Sequence, residues 1–162
     1  MKPKTLEKLI RRFTRLPSHY IDSSVILGAF LEDEKFREEC KNYLNRVGYN
    51  YRGFLAVSVT GEIFMILNKR IDNETGREIF FSFFDKLVGR RKMEFIGADF
   101  EVYKKIDEIK EVSYKIEPLD ALHLAIAINN KAGVFVTLDE KLLHNREIES
   151  KFNIKILHPK EL

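Results

Sequence analysis

The chain has 162 residues, of which 44% are hydrophobic and 33% charged, which fits one globular domain with a buried core. It has no run of about 18 apolar residues and its start lacks the apolar core of a secretory signal, so we expect no membrane span and a cytoplasmic protein. A single cysteine, Cys40, excludes an internal disulfide framework and a multi-cysteine metal site.

The basic charge is concentrated in residues 1–18, which carry six basic side chains and one acidic side chain, although the net charge of the whole chain is only +3. Apolar side chains in this segment have the spacing of one helix face: Leu6, Leu9, Ile10 and Phe13. The sequence therefore predicts a basic amphipathic helix in an extension, 1–18, that precedes a domain at 19–162. Such an extension can bind a polyanion, pack on the domain or on a second subunit, or serve solubility alone, and the sequence does not decide among these roles.

The segment from His19 to Leu27 predicts a short buried strand, a one-residue corner at Asp22 and the beginning of a helix. In open parallel sheets, ligands bind beyond the carboxyl ends of the strands, so Asp22 occupies a site position. Aspartate and serine are also common helix caps, so Asp22 and Ser24 have a purely structural interpretation as well.

Strand and helix patterns alternate along the rest of the chain. Strands are predicted at about residues 54–57, 93–96, 134–136 and 154–157, and helices at about residues 23–30, 32–47, 60–69, 72–87, 99–111 and 118–127. Ser58 and Thr60 are predicted N-caps, and Thr137 with Glu140 matches a capping box. Phenylalanines form a stripe on the helix at 72–87, which is typical of a core or a homodimer interface. The alternation predicts a three-layer α/β/α sandwich around a central parallel sheet, with the last strand at an edge.

Four acidic residues lie just after a predicted strand or in the first turn of a predicted helix: Asp22, Glu62, Asp120 and Asp139. Because these positions share one edge of a parallel sheet, the four carboxylates are expected in one pocket. Their repulsion would require neutralisation, and the hard cations Mg²⁺ and Mn²⁺ prefer oxygen ligands. Each acid alone also fits the preference of first helical turns for negative charge, so the spacing leaves both interpretations open.

Four segments of the chain resemble the motifs of PIN domains in their order and spacing. They are residues 20–27 (YIDSSVIL), 58–67 (SVTGEIFMIL), 120–127 (DALHLAIA) and 135–139 (FVTLD). Each of the four segments contains one of the four acids, and the last is a strand that ends in threonine, any residue and aspartate. The resemblance spans about residues 20–157 and favours the shared acidic site.

The resemblance implies a metal-dependent nuclease that hydrolyses phosphodiester bonds in single-stranded or loop RNA with Mg²⁺ or Mn²⁺. The metal ligands and catalytic residues would then be Asp22, Glu62, Asp120 and Asp139. Ser24 and Thr137 would support these ligands or contact the substrate phosphate, although helix capping explains both residues equally well. Many PIN domains act on RNA, and the VapC-like toxins of the family pair with a small antitoxin, which implies a protein partner.

Several alternatives stay open beside the toxin. About 18 residues precede the first strand and the segment at 71–92 is long for a compact toxin, so a stand-alone RNA-processing nuclease is an alternative. A non-catalytic PIN-like RNA-binding or assembly module is another, which the presence of all four acids disfavours. A phosphoacceptor domain lacks its acidic pair after the first strand, and a dinucleotide-binding enzyme lacks its glycine-rich loop. His123, one turn after Asp120, has the pattern of a packed, hydrogen-bonded histidine rather than of a catalytic one.

Overall fold

A five-stranded parallel sheet forms the centre of the computed structural model, which describes residues 15–71, 73–89 and 93–162. The spatial order is β3-β2-β1-β4-β5, so β1 lies in the middle and β5 lies at an edge, as predicted. The strands are β1 (Ser18–Ile21), β2 (Arg52–Ala56), β3 (Met93–Ile96), β4 (Val134–Val136) and β5 (Lys155–Leu157).

Helices connect the parallel strands and flank the sheet, which confirms the predicted α/β/α architecture. They are α1 (Ser23–Phe30), α2 (Arg37–Arg46), α3 (Val57–Arg70), α4 (Asn73–Phe83), α5 (Phe100–Val112), α6 (Pro118–Asn129) and α7 (Arg146–Phe152). A π-helical turn, Phe84–Gly89, continues α4, and a 3₁₀ turn, Pro159–Glu161, precedes the last residue. None of the helices in the described ranges is both long and apolar enough to cross a membrane.

The strand register brings the carboxyl ends of the three central strands to one level. Ile21 of β1 pairs with Val136 of β4, and Tyr20 of β1 pairs with Phe54 of β2. The rings of Tyr20 and Phe135 stack with their centroids 5.0 Å apart, and both side chains are fully buried. The first residues after β1 and β4 therefore emerge side by side from a rigid core.

Three predicted capping residues, Ser58, Thr60 and Thr137, do not cap a helix, and one predicted helix start is also wrong. The helix predicted from Thr60 begins at Val57 instead, so neither Ser58 nor Thr60 is its N-cap, and the Thr60 hydroxyl donates to the Val57 carbonyl within the first turn (2.6 Å). The capping box at Thr137 is absent because residues 140–144 form turns, and α7 begins only at Arg146 with Asn145 as its cap. The second helix begins at Arg37 rather than near residue 32, because residues 31–36 form a loop after α1.

The structure describes the phenylalanine stripe but not the predicted helix of the amino-terminal extension. Phe83 is buried, and the other members of the stripe, Ile79, Phe80, Phe84 and Leu87, are partly buried and pack against the core. Phe81 lies outside the stripe and is 66% exposed. The predicted amphipathic helix, which rests on residues 6–13, lies outside the described residues. The boundary between the extension and the domain therefore stays a prediction.

Candidate metal centre

The site residues are positioned by three neighbouring strands and the helices that follow them. Asp22 follows β1, Glu62 lies in the second turn of α3 after β2, and Asp139 follows β4. Asp120 and His123 lie one turn apart near the beginning of α6, where Pro118 occupies the first turn as predicted. The parallel arrangement thus directs side chains from distant parts of the chain to the carboxyl edge of the sheet.

The carboxylate of Asp22 does not cap the helix that it precedes. Its Oδ2 atom instead accepts hydrogen bonds from the Ser24 hydroxyl (2.6 Å) and from the Thr137 hydroxyl (2.9 Å). Burial raises the pKa of Asp22, but the His123 imidazole and these two hydroxyls lower it by more, so the pKa lies below its usual value of 3.8. Asp22 is therefore an oriented, ionised carboxylate.

His123 lies between two carboxylates and is only 2% exposed. Its Nδ1 atom is 3.7 Å from Asp22 Oδ1, and its Nε2 atom is 4.0 Å from Glu62 Oε2. The same Nε2 atom forms a hydrogen bond with the Ser58 hydroxyl (3.2 Å). These contacts connect β1, α3 and α6 through one imidazole ring.

Glu62 contains a buried oxygen that lacks a hydrogen-bond partner. No described residue donates a hydrogen bond to its Oε2 atom. One ligand atom each from Asp22, Glu62 and His123 lies within 4.8 Å of the others, a spacing at which all three can contact a single cation. A buried carboxylate oxygen without a donor costs free energy, which a cation would offset, so these residues fit a divalent metal ion.

Asp120 and Asp139 add negative charge to the same edge. Burial, together with the nearby carboxylates of Asp139 and Asp22, raises the pKa of Asp120 to about 6. Asp139 is held by the loop after β4, where its backbone N–H donates to the Thr137 hydroxyl (3.0 Å) and its Oδ1 accepts from the backbone N–H of Lys141 (2.9 Å). Asp120 therefore lies near two other acids, and Asp139 both adds to this negative charge and accepts a local backbone hydrogen bond.

The cluster at ligand spacing contains two of the four predicted acids, Asp22 and Glu62, and one residue that was not predicted as a member, His123, whereas Asp120 and Asp139 lie outside it. Asp22 and Glu62 share a cluster, and Asp120 lies close enough to Asp22 and Asp139 for their charges to shift its pKa. His123 was expected to be packed and hydrogen-bonded, and it is, yet its position between two of the acids was missed. The available signal was its spacing, because i and i+3 residues share a helix face and Asp120 was already assigned to the pocket.

Comparisons with known proteins support the fold described above. A family model described as PIN domain matches residues 19–148 of the chain. No curated protein matches the sequence. Similar solved structures include VapBC2 from Rickettsia felis bound to a DNA fragment from their promoter, with a TM-score of 0.64 and 17% identity over 87% of this chain and 98% of that chain.

Two further solved structures have the same fold at low identity. FitAcB from Neisseria gonorrhoeae is 14% identical over 89% of this chain and 99% of that chain, with a TM-score of 0.63. VapC20 from Mycobacterium tuberculosis, described as a sarcin-ricin loop cleaving toxin, is 12% identical over 85% of this chain and 98% of that chain, with a TM-score of 0.60. At these identities the similarity shows the fold alone.

Proposed function

The chain belongs to the PIN domain family, and on that basis we propose that it is a metal-dependent ribonuclease that hydrolyses phosphodiester bonds in single-stranded or loop RNA. The observation that supports this proposal most strongly is the cluster of Asp22, Glu62 and His123 at the carboxyl edge of the sheet. Its orphaned Glu62 oxygen and its excess negative charge fit a divalent cation better than a purely structural role.

The four acids would hold Mg²⁺ or Mn²⁺: Asp22, Asp120 and Asp139 as ligands, with Glu62 completing the cluster or orienting the attacking water. A bound cation of this kind lowers the pKa of water and stabilises negative charge on the phosphoryl oxygens. Ser24 and Thr137 fix the orientation of the Asp22 carboxylate through their hydroxyl donors. His123 lies between Asp22 and Glu62 and would contribute an imidazole nitrogen to the same cation.

The proposed substrate and partner are those of proteins that share this fold. VapC20 is described as cleaving the sarcin-ricin loop, which favours an RNA substrate, and the VapBC structures favour an antitoxin protein as a partner. A homodimer is a further proposal, supported by the exposed Phe81, whose ring packs against that of Phe80 on α4. The proposed compartment is the cytoplasm.

A cleavage assay tests the proposal. Purified protein is incubated with a pool of structured and unstructured RNAs in Mg²⁺, in Mn²⁺ or in chelator, beside the variants Asp22→Asn and Asp120→Asn. We expect metal-dependent cleavage that decreases by about 10³-fold in both variants, because each loses a charged ligand worth several kcal/mol in the transition state.

Asp99→Asn is the matched control for this assay. Asp99 also follows a strand, but its carboxylate caps α5 by accepting from the backbone N–H groups of Glu101 and Val102. Asparagine is an equally good cap, so this variant should cleave like the wild type. Cleavage that persists in chelator or in Asp22→Asn would contradict the proposal, and RNA binding without metal binding would indicate a non-catalytic module.

A further inference from the structure

A cavity of about 290 Å³ lies beside the metal centre and shares residues with it. Ser24 and Asp139 both line this cavity, so it is continuous with the cluster of acids. The rest of its lining comes from the carboxyl half of α1, the loop after α1, the carboxyl half of α3 and the loop after β4. A substrate whose phosphate lies at the metal centre would therefore place a neighbouring group in this cavity.

The walls of the cavity are aliphatic. They are formed by Leu27, Leu31, Ile66 and Leu138. Leu27 and Leu31 are 7% and 5% exposed, so they belong to the packed core and form a fixed surface. Flat aromatic groups bind well between such apolar walls, and unstacked nucleobases are the flat groups that single-stranded RNA offers.

An ion pair supplies the polar part of the lining. Arg70 Nη1 donates to Glu34 Oε1 at 2.7 Å, and both side chains line the cavity. The pair remains accessible to a ligand, because the Arg70 and Glu34 side chains are 51% and 32% exposed. Arg70 follows Glu62 by eight residues on α3, which corresponds to about 12 Å along the helix axis. This separation is comparable to the distance between the phosphate of a purine nucleotide and the far edge of its base.

We infer that this cavity binds the guanine base of a nucleotide next to the scissile phosphate, an inference that rests on the proposed ribonuclease function. Among the four RNA bases, only guanine has two N–H donors side by side on its Watson–Crick edge, and a carboxylate such as Glu34 accepts both. Guanine O6 and N7 are also the acceptors that arginine contacts most often. A neighbouring carboxylate and guanidinium thus match guanine better than adenine, cytosine or uracil.

A panel of short RNAs that differ only in the base on either side of one cleavable position tests this inference. With wild-type protein, we expect RNAs with guanine at one of the two flanking positions to be cleaved about tenfold faster, the discrimination expected of a bidentate contact. Glu34→Gln and Arg70→Met should reduce this preference to about twofold or less, while cleavage of RNAs without guanine stays unchanged.

Lys69→Met is the matched control, because Lys69 is the neighbouring exposed cation on α3 and does not line the cavity. It should keep the guanine preference, which separates a specific contact from a general loss of positive charge. If Glu34→Gln and Arg70→Met slow the cleavage of every RNA equally, the ion pair only holds the loop against α3 and the inference is wrong.

A binding measurement separates this inference from the proposed function. Fluorescence anisotropy with 2′-O-methyl RNAs, which resist cleavage, reports base preference even if no RNA is hydrolysed. Tighter binding of guanine-containing RNA that Glu34→Gln abolishes would support the cavity in either case. Equal binding of all RNAs by wild-type protein, together with cleavage that shows no base preference, would overturn the inference while leaving the ribonuclease proposal intact.

Discussion

The two ends of β1 each lie beside a buried histidine, and the two imidazole rings have opposite electrostatic surroundings. At the amino end, the His19 ring stacks on Tyr51 with centroids 4.3 Å apart, and its Nδ1 atom forms a hydrogen bond with the Tyr43 hydroxyl (3.2 Å). No carboxylate of a described residue lies within ion-pair distance of it. Burial consequently lowers the pKa of His19 to about 4.

At the carboxyl end, three residues later, Asp22 and Glu62 lie on either side of His123. At the amino end of β1, the aromatic groups are neutral and stabilise one another. At the carboxyl end, the carboxylates bring together negative charge that the other described residues balance only in part. This difference indicates that the amino end serves stability and that the carboxyl end serves binding.

The largest expected effect is on stability in acid. Unfolded His19 binds a proton near pH 6.5, but the folded state resists protonation until about pH 4, so the unfolded state holds more protons between these values. His19 should therefore lower the free energy of unfolding by up to about 3 kcal/mol as the pH decreases through this window. Urea titrations at several pH values should show that His19→Phe loses this dependence. Parallel pH profiles for the variant and the wild type would contradict the burial of a neutral His19.

At the carboxyl end, the hydroxyls that orient Asp22 should matter for metal binding. Thr137→Val and Ser24→Ala each remove one donor from Oδ2, and changes to residues that orient a ligand typically cost about 10–100-fold in metal affinity. Isothermal titration with Mn²⁺ measures the effect. Thr60→Val is the control, because the Thr60 hydroxyl donates only to a carbonyl of its own helix. Wild-type affinity in both site variants would mean that Asp22 needs no orientation.

Alanine substitutions at two glycines test whether the packing differs between the two ends of β1. A Cβ atom on Gly53, near the amino end, would lie 2.8 Å from Val47 Cγ1 and 3.0 Å from Met93 Cγ, whereas a Cβ on Gly61 of α3 would have no atom within 4 Å. Gly53→Ala should therefore destabilise the protein by about 1–3 kcal/mol through overpacking. Gly61→Ala should stabilise it by about 0.5–1 kcal/mol, because alanine is the better helix former. Thermal or urea unfolding measures both, and equal effects would argue against the packing difference.

The smallest expected effect is the pH dependence of metal affinity. If Asp120 is a ligand as proposed, a cation would displace its proton, which it holds with a pKa of about 6. Lowering the pH from 7 to 5 should therefore weaken Mn²⁺ binding by about tenfold through this group. Asp120→Asn should bind Mn²⁺ more weakly at both pH values, and its affinity should not fall between pH 7 and pH 5. If the affinity of this variant falls by the same factor as that of the wild type, another group causes the pH dependence.

The strands and the acidic residues could be predicted because each depends on local pattern. The short apolar runs at 93–96 and 134–136 are strands with the predicted limits, and the helix predicted at about residues 99–111 is α5, which begins at Phe100 with Asp99 as its N-cap. The acids could be assigned to one edge because parallel topology places strand ends together. Both inferences need only the order of elements along the chain.

The hydrogen-bond partners of polar side chains could not be predicted, because tertiary neighbours determine them. Thr137 precedes a glutamate at capping-box spacing, but its hydroxyl donates to Asp22, a residue 115 positions away. Ser58 likewise forms a hydrogen bond with His123 rather than with the first turn of its own helix. In both cases a long-range contact in the candidate metal centre replaces the local cap that the sequence predicts.

The most direct test of the division between the two ends is to locate a metal ion. Crystals of the full chain soaked in Mn²⁺ can be measured at the manganese absorption edge. We expect an anomalous peak within ligand distance of Asp22 and its neighbouring acids at the carboxyl edge, and no such peak in crystals of Asp22→Asn. A site without a peak in crystals soaked at saturating Mn²⁺, or a peak that persists unchanged in the variant, would contradict this expectation.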